Sequence, residues 1–424
     1  MAEAAEWQQR RRRPGPLARR VSVTPASLAE CGVRIRAGGL VSFPTETVYG
    51  LGCHALDPEA VGRVFEAKER PRSDPLIVHV ADSADALRLW DGASGAGAEG
   101  GEGLEGRALR ALAAAFWPGP LTVVARAVPE VPPSVMAGTG HVACRSPSHP
   151  IARALIVAAG VPIAAPSANK FGHVSPTRPG HVMDDLGEED VWVVDPALGG
   201  GGGDEGDGGG SGWEADGTVC DVGVESTVAR VEIEAPDAAG GAEPAGRVVV
   251  LRHGAVSAPA LRRALAAAGL AGLLDVVSGA TGTAADGVAT VAPGQTVRHY
   301  SPDVPSYLVR HGRYEGGMVP DQEGEADLLA RAVVIDYGGR LGGLRGGALA
   351  YRDLSPGGDS TEAAAAVFDA LRWSEGVEGA ERVYFPELVA GTASASVGEE
   401  DALALAVKDR LTRAASGVAI DALR

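Results

Sequence analysis

Cysteine is scarce in this chain. There are four in 424 residues, Cys31, Cys53, Cys144 and Cys220, and no two form a CxxC pair. That pattern argues against a disulfide framework or a cysteine zinc cage and reads as free thiols in a reducing compartment. Positive charge is also short. Lys and Arg total 38 against 55 Asp and Glu, a formal net charge of -17, which opposes stable nonspecific binding to nucleic acid. No apolar run reaches the length that spans a bilayer, so no membrane contact is expected. There is no Gx4GK[ST] phosphate loop, no Ser-His-Asp arrangement and no metal cage of Cys or His.

What is present suffices for two α/β domains of ordinary size, and a hydrophobic share of 45% supplies their cores. Residues 1–23 read as a disordered basic tail carrying Arg10 to Arg13, Arg19 and Arg20. A mitochondrial or plastid presequence is the other reading of those arginines. Glu3, Glu6 and the lack of serine before residue 21 count against it, so a cytoplasmic location is expected. Thr24-Pro25 marks a helix start. Strands are expected at 40–43, 76–80, 121–128, 142–145, 161–165, 191–195, 218–222, 226–233 and 247–251. Helices begin at Thr24, Asp57, Ser83, His149 and Pro259, and the first domain spans 24–268.

Two Gly-rich acidic stretches, 91–106 and 198–217, read as flexible insertions. The second contains Gly201-x-Gly203-x-x-Gly206, a formal dinucleotide fingerprint. No helix follows it, and Asp204, Glu205 and Asp207 would repel phosphate. Residues 269–304 read as a linker. Residues 305–424 alternate strand and helix again, as in a small Rossmann-like domain with a mostly parallel sheet.

Polar residues cluster at strand ends, where open α/β sheets place their ligand sites. Lys68 and Arg70 flank a turn before Pro71, suited to a di- or triphosphate or else to a solvated helix C-terminus. Arg145 ends a short apolar strand and needs an anion, either a ligand carboxylate or a protein one. Ser167 and Asn169 follow another buried strand, as neutral ligand contacts or as turn caps. His79 ends a strand, where a structural histidine is the ordinary case. Arg252 points toward the same rim, for a ligand or for a rim salt bridge. With Thr47 and Ser226, these residues would line one cleft.

In chain order the motifs are PTETVYGLG at 44–52, KERPRSDPLIVHV at 68–80, FWPGPLT at 116–122, RSPSHP at 145–150, APSAN at 165–169, SPT at 175–177, GVESTV at 223–228 and LRHGA at 251–255. Together they resemble the threonylcarbamoyl-AMP synthase family, the YrdC-type enzymes. APGQTVRHYSP at 292–302 and the segment from Glu387 onward resemble the family's longer, two-domain branch. The resemblance implies a twisted mixed sheet with helices around a concave cleft, joined by a linker to the smaller domain. It also implies a reaction, in which L-threonine, bicarbonate and ATP give threonylcarbamoyl-AMP and pyrophosphate, with Mg²⁺ carried on the ATP. A downstream tRNA threonylcarbamoyl transferase would take the product in a transient encounter, with a weak tRNA contact.

By match to the family, L-threonine would contact Thr47, His79, Arg145, Asn169 and Ser226. ATP would contact Lys68, Arg70, Asp74, His141, Ser167, Thr177, Arg252 and Tyr300. The carbamate itself attacks phosphorus in such a reaction, so no side-chain nucleophile is expected. The linker, with Arg298, His299 and Tyr300, would close over the cleft. Two positions depart from the pattern: His141 stands where Thr is usual, and Asp74 where many members have Asn. An RNA-binding module using the same concave surface without catalysis is the alternative reading.

Overall fold

The computed structural model describes residues 17–91, 103–198, 220–234, 245–278, 290–292, 300–310, 324–388, 401–421 and 423. Arg298 and His299, most of residues 1–23 and most of both Gly-rich stretches lie outside them. Short apolar runs form the strands β1 (Arg19–Ser22), β2 (Leu40–Pro44), β3 (Tyr49–His54), β4 (Ile77–His79), β5 (Leu121–Arg126), β6 (His141–Arg145), β7 (Ile163–Ala164), β8 (Val191–Asp195), β9 (Thr227–Ile233), β10 (Gly246–Arg252) and β11 (Leu274–Ser278). They make one sheet in the order β1-β8-β2-β3-β7-β4-β6-β5-β9-β10-β11. The sheet is mixed. β2 is antiparallel to β3 and β5 to β6, while β4 runs parallel to β6 and β5 to β9.

The helices of this part are α1 (Pro25–Arg36), α2 (Pro58–Lys68), α3 (Ser83–Leu87), α4 (Leu104–Phe116), α5 (Pro150–Ala159), α6 (Pro179–Leu186) and α7 (Ala258–Ala267). Their starts follow the local chemistry. Thr24 and Ser27 form a reciprocal capping box ahead of Pro25, and Asp57 caps α2 through the Glu59 amide at 2.9 Å. Both satisfy backbone donors that a helix start leaves open.

The second part contains β12 (Ser306–Val309), α8 (Glu325–Leu329), β13 (Ala332–Asp336), β14 (Ala350–Asp353), α9 (Ser360–Glu375), β15 (Arg382–Pro386), α10 (Ala402–Ala414) and β16 (Ala419–Ile420). Its five strands are all parallel, in the order β14-β13-β15-β12-β16. β13 is buried along its whole length, as a strand covered on both faces should be.

Several elements differ from the sequence reading. β1 lies within the expected tail and pairs with β8. Its two arginines hide the strand signal: Arg19 stacks on Trp192 at 5.0 Å and Arg20 pairs with Asp195, so only Val21 is buried. β11 falls in the expected linker and extends the first sheet beyond β10. In PTETVYGLG only Thr45 to Val48 form a turn, since Pro44 ends β2 and Tyr49 begins β3, a strand not expected from the sequence. α4 begins at Leu104, inside the expected 91–106 insertion. Residues 220–222 are not strand.

The two parts meet over an apolar patch. Val48, Val174 and Val224 of the first join Phe368, Leu371 and Leu411 of the second in one core cluster that includes Tyr300. Ion pairs flank it, Arg372 with Asp185 at 3.1 Å and Arg178 with Asp369 at 3.1 Å. Gly223 has φ of 70°, and a β-carbon there would run into the backbone of α9 at Ala364 and Ala365. No helix among the described residues is long and apolar enough to cross a membrane.

Gly223 therefore predicts its own substitution. Gly223→Ala combines a left-handed backbone with a helix that must move, so it should cost roughly 2–4 kcal/mol in a denaturant titration. A loss within about 0.5 kcal/mol, the range of ordinary surface changes, would show that the two parts do not press together there.

Candidate active site

The cleft begins at the turn between β2 and β3. Thr45 Oγ1 donates to the Val48 carbonyl at 2.7 Å and accepts from the amides of Thr47 and Val48 at 3.2 Å. This fixes the turn and turns Thr47 inward, with its hydroxyl 2.8 Å from that of Thr45. Beside it, β4 and β6 run parallel with His79 opposite Arg145. Register alone therefore brings two strand-end groups together.

Arg145 is buried. Its Nη1 donates to Thr47 Oγ1 at 2.9 Å, and its Nη2 lies 2.8 Å from Glu46 Oε1. That ion pair is too poorly aligned to count as a hydrogen bond. Burial alone would raise the Glu46 carboxyl. The Arg145 charge overcomes this and holds it at about 2. Burial also lowers His79, to about 3, with the Arg145 charge adding to the effect, so its imidazole is neutral. Around this corner Arg145 Nη2, both Glu46 carboxylate oxygens, His79 Nδ1 and Asn169 Oδ1 are buried without a hydrogen-bond partner among the described residues. Such atoms in a native fold call for a ligand or water.

Two further cations line the cleft, Arg70 and Arg252. α2 ends at Glu69, whose φ is 54°. The chain then turns so that Arg70 donates to the Asp74 and Pro75 carbonyls at 3.1 and 2.8 Å and pairs with the Asp74 carboxylate at 2.9 Å. Arg252, at the end of β10, donates to the Ser226 carbonyl and hydroxyl, both at 3.1 Å. The Ser226 hydroxyl in turn meets Thr122 Oγ1 at 2.7 Å. Burial lowers the pKa of both guanidinium groups, and Asp74 pulls that of Arg70 back up.

Thr47, Arg70, His79, Arg145, Ser167, Ser226, Arg252 and Tyr300 line one cleft, with Glu225, Thr45, Val48 and Ile77 between them. It encloses about 520 Å³ of empty space, counting the solvent at its mouth. The remaining candidates are not among its lining residues. Lys68 is fully buried and donates to the Ser167 carbonyl at 2.6 Å and to the Asn169 carbonyl. Burial pushes its ammonium well below the usual lysine range. In this geometry the Lys68 ammonium holds the 167–169 loop. Asn169 donates to the Lys170 and His173 carbonyls at 2.7 and 2.9 Å. Asp74 pairs with Arg70. Thr177 is buried, with its amide 3.3 Å from His181 Nδ1. His141 starts β6 and is hydrogen-bonded at 3.0 Å to the Thr139 carbonyl.

Two contributors escaped the candidate set. Glu46 is the protein carboxylate that Arg145 required, and its only sequence signal is its place between two threonines in a turn. Glu225 stands in a motif but had no assigned partner.

Comparison with known proteins agrees in both parts. Residues 33–204 match the family model described as Telomere recombination, and residues 256–416 match that described as Threonylcarbamoyl-AMP synthase, C-terminal domain. The chain is 33% identical over 389 residues to a threonylcarbamoyl-AMP synthase of Pyrococcus abyssi, covering 91% of this chain and 93% of that protein. It is 33% identical over 286 residues to one of Bacillus subtilis, covering 67% of each. The crystal structure of P. abyssi Sua5 complexed with L-threonine superposes with a TM-score of 0.68 at 29% identity, covering 95% of this chain and 98% of that one.

The Glu46–Arg145 pair sets a pH dependence. Glu46 titrates lower folded than unfolded, so its stabilisation is complete above its ordinary pKa of 4.5 and is lost as pH falls toward about 2. Glu46→Gln strands a buried guanidinium and should cost roughly 3–5 kcal/mol at neutral pH. The gap from wild type should narrow below pH 4.5. Equal stability curves for both proteins from neutral to acid pH would contradict the pairing.

Proposed function

The chain belongs to the threonylcarbamoyl-AMP synthase family, and from that premise we propose that it joins L-threonine, bicarbonate and ATP into threonylcarbamoyl-AMP and releases pyrophosphate. The observation that carries this reading is that Arg145, paired with Glu46 and flanked by Thr47 and the neutral His79, lines one cleft together with Arg70 and Arg252. ATP and an amino acid both bring negative charge, and an acidic protein must concentrate cations locally to hold them.

In this reading the threonine carboxylate sits on Arg145, and Thr47, His79, Asn169 and Ser226 surround the rest of the amino acid. The threonine amine and bicarbonate condense to a carbamate with loss of water. A carbamate oxygen then bonds to the α-phosphorus of ATP as the bond to the β-phosphate oxygen breaks, and pyrophosphate leaves. Arg70 and Arg252 take the charge that builds on the phosphates, and Ser167 donates at the seam between the two ligands. Lys68 serves by fixing the Ser167 and Asn169 backbone. Asp74 serves through Arg70, while Thr177 and His141 stand at the outer nucleotide side. The residues supply position and charge, and no side chain needs to bond to substrate.

Mg²⁺ enters on the ATP phosphates as part of the substrate. Among the described residues no cluster of three or more His, Cys, Asp or Glu side chains is set to hold a metal. A carbamate and its mixed anhydride are both easily lost to water, so a closed cleft matters. In this reading Tyr300, which is buried at the cleft and packs on Phe368 at a ring distance of 5.2 Å, contributes to that closure. The product would pass to a tRNA threonylcarbamoyl transferase.

Purified protein should release pyrophosphate from ATP only when L-threonine and bicarbonate are both present. Arg145→Ala should mainly weaken threonine, and Arg70→Ala mainly ATP, each by about 1.5–3 kcal/mol for a lost charge-assisted contact. Calorimetry that found both changes acting equally on one ligand, or release without bicarbonate, would contradict the reading.

A further inference from the structure

Glu225 sits one residue before Ser226, in the wall that also carries Arg252. A buried carboxylate there is a hazard for anion binding. Its charge acts on Arg252, and an unsatisfied Glu225 would take that guanidinium for itself. The structure shows where its charge goes instead. Ser175 donates to Glu225 Oε1 at 2.7 Å, and Arg410 donates to Oε2 through Nε at 3.0 Å and Nη2 at 2.9 Å. Arg410 belongs to α10, in the second domain. Its side chain is wholly buried, and its Nη1 reaches the carbonyl of His253, next to Arg252, at 2.8 Å. Its guanidinium also lies 5.6 Å from the centre of the Tyr300 ring.

The surrounding backbone leaves the wall little freedom to do otherwise. Gly254 lies so close to residues 225–227 that a β-carbon would run into the Thr227 amide and the Glu225 carbonyl. Residues 223–227 are therefore held between Gly254 and α9, with Glu225 aimed at Arg410.

We propose that Arg410 is a positioning residue of the cleft: by sequestering the Glu225 carboxylate, the second domain keeps Arg252, held on Ser226, from pairing with Glu225 and so lets it take an anionic ligand. The anion is of the phosphate class, a diphosphate or nucleoside triphosphate, and in this the inference rests on the functional reading above. It gives the second domain a definite task. A guanidinium from outside the first domain neutralises a cleft carboxylate that would otherwise compete with substrate.

The test is a calorimetric cycle on the full chain, with inorganic pyrophosphate and ATP as probes. Arg410→Met should weaken both by about tenfold, the size expected when a charge-assisted contact is compromised. Adding Glu225→Gln removes the competing charge and should recover most of that loss. In an Arg252→Ala background, Arg410→Met should have little further effect. Arg410→Lys keeps one charge against Glu225 and should show the same ordering with a smaller loss, which preserves the test if the Met variant does not fold.

A merely structural Arg410 predicts a lower Tm, no recovery of affinity with Glu225→Gln and the same loss without Arg252. That outcome overturns the proposal, as does a wild-type chain that binds neither probe. A chain that binds both with this ordering, yet makes no pyrophosphate from ATP with threonine and bicarbonate, overturns the functional reading and leaves the inference standing.

Discussion

Three buried guanidinium groups in one cleft set the terms for everything around them. Arg70, Arg145 and Arg252 are each less than a tenth exposed, in a chain of net charge -17. Taking such groups out of water is costly unless each meets charge or carbonyl oxygen. Arg145 has Glu46, Arg70 has Asp74 and two carbonyls, and Arg252 has Ser226. These partners stabilise the empty cleft, and they are also competitors that an incoming anion must displace or join. The balance is visible at Arg145, where the 2.8 Å contact with Glu46 is not aligned as a hydrogen bond and leaves the buried Nη2 without a hydrogen-bond partner among the described residues.

The mixed sheet makes that cluster possible. Parallel pairing of β4 with β6 sets His79 beside Arg145, while the antiparallel β2–β3 hairpin carries Thr47 and Glu46 over the top. A bridge between Gly50 and Ser167 ties the hairpin to the loop after β7. The second domain then packs against the same edge through Val48 and Val224, each adjacent to a cleft residue. The cleft wall and the domain contact are therefore one piece of structure, and the Arg410–Glu225 pair lies where they coincide.

Much of this was legible in the sequence, and the reasons for success and failure are physical. Strand-end polar residues such as Thr47, His79, Arg145, Ser226 and Arg252 stood out because a charged or hydroxyl group that closes an apolar run must find a polar partner at the sheet's rim. The mostly parallel sheet of the second domain followed from the alternation of apolar runs and helices, but the two-residue β16 at its edge fell outside any expected strand. β1 and β11 were hidden because each shows one buried face amid arginines or small residues. Lys68 has the spacing of a phosphate group, and what the sequence does not show is that burial sets it against the Ser167 and Asn169 carbonyls. Glu46 and Arg410 were invisible for a different reason. Each matters through long-range contacts, chiefly with Arg145, 99 positions away, and with Glu225, 185 positions away, respectively, and a single sequence carries no signal for such a pair.

The central claim is that Arg145 receives an amino-acid carboxylate while Arg70 and Arg252 receive phosphate. A crystal structure of this chain with L-threonine and a non-hydrolysable ATP analogue tests it most directly. The account predicts the threonine carboxylate on Arg145 beside Thr47, and the analogue's phosphates against Arg70 and Arg252 with Glu225 still held by Arg410. A carboxylate bound elsewhere, or phosphates seated on Arg145, would contradict it.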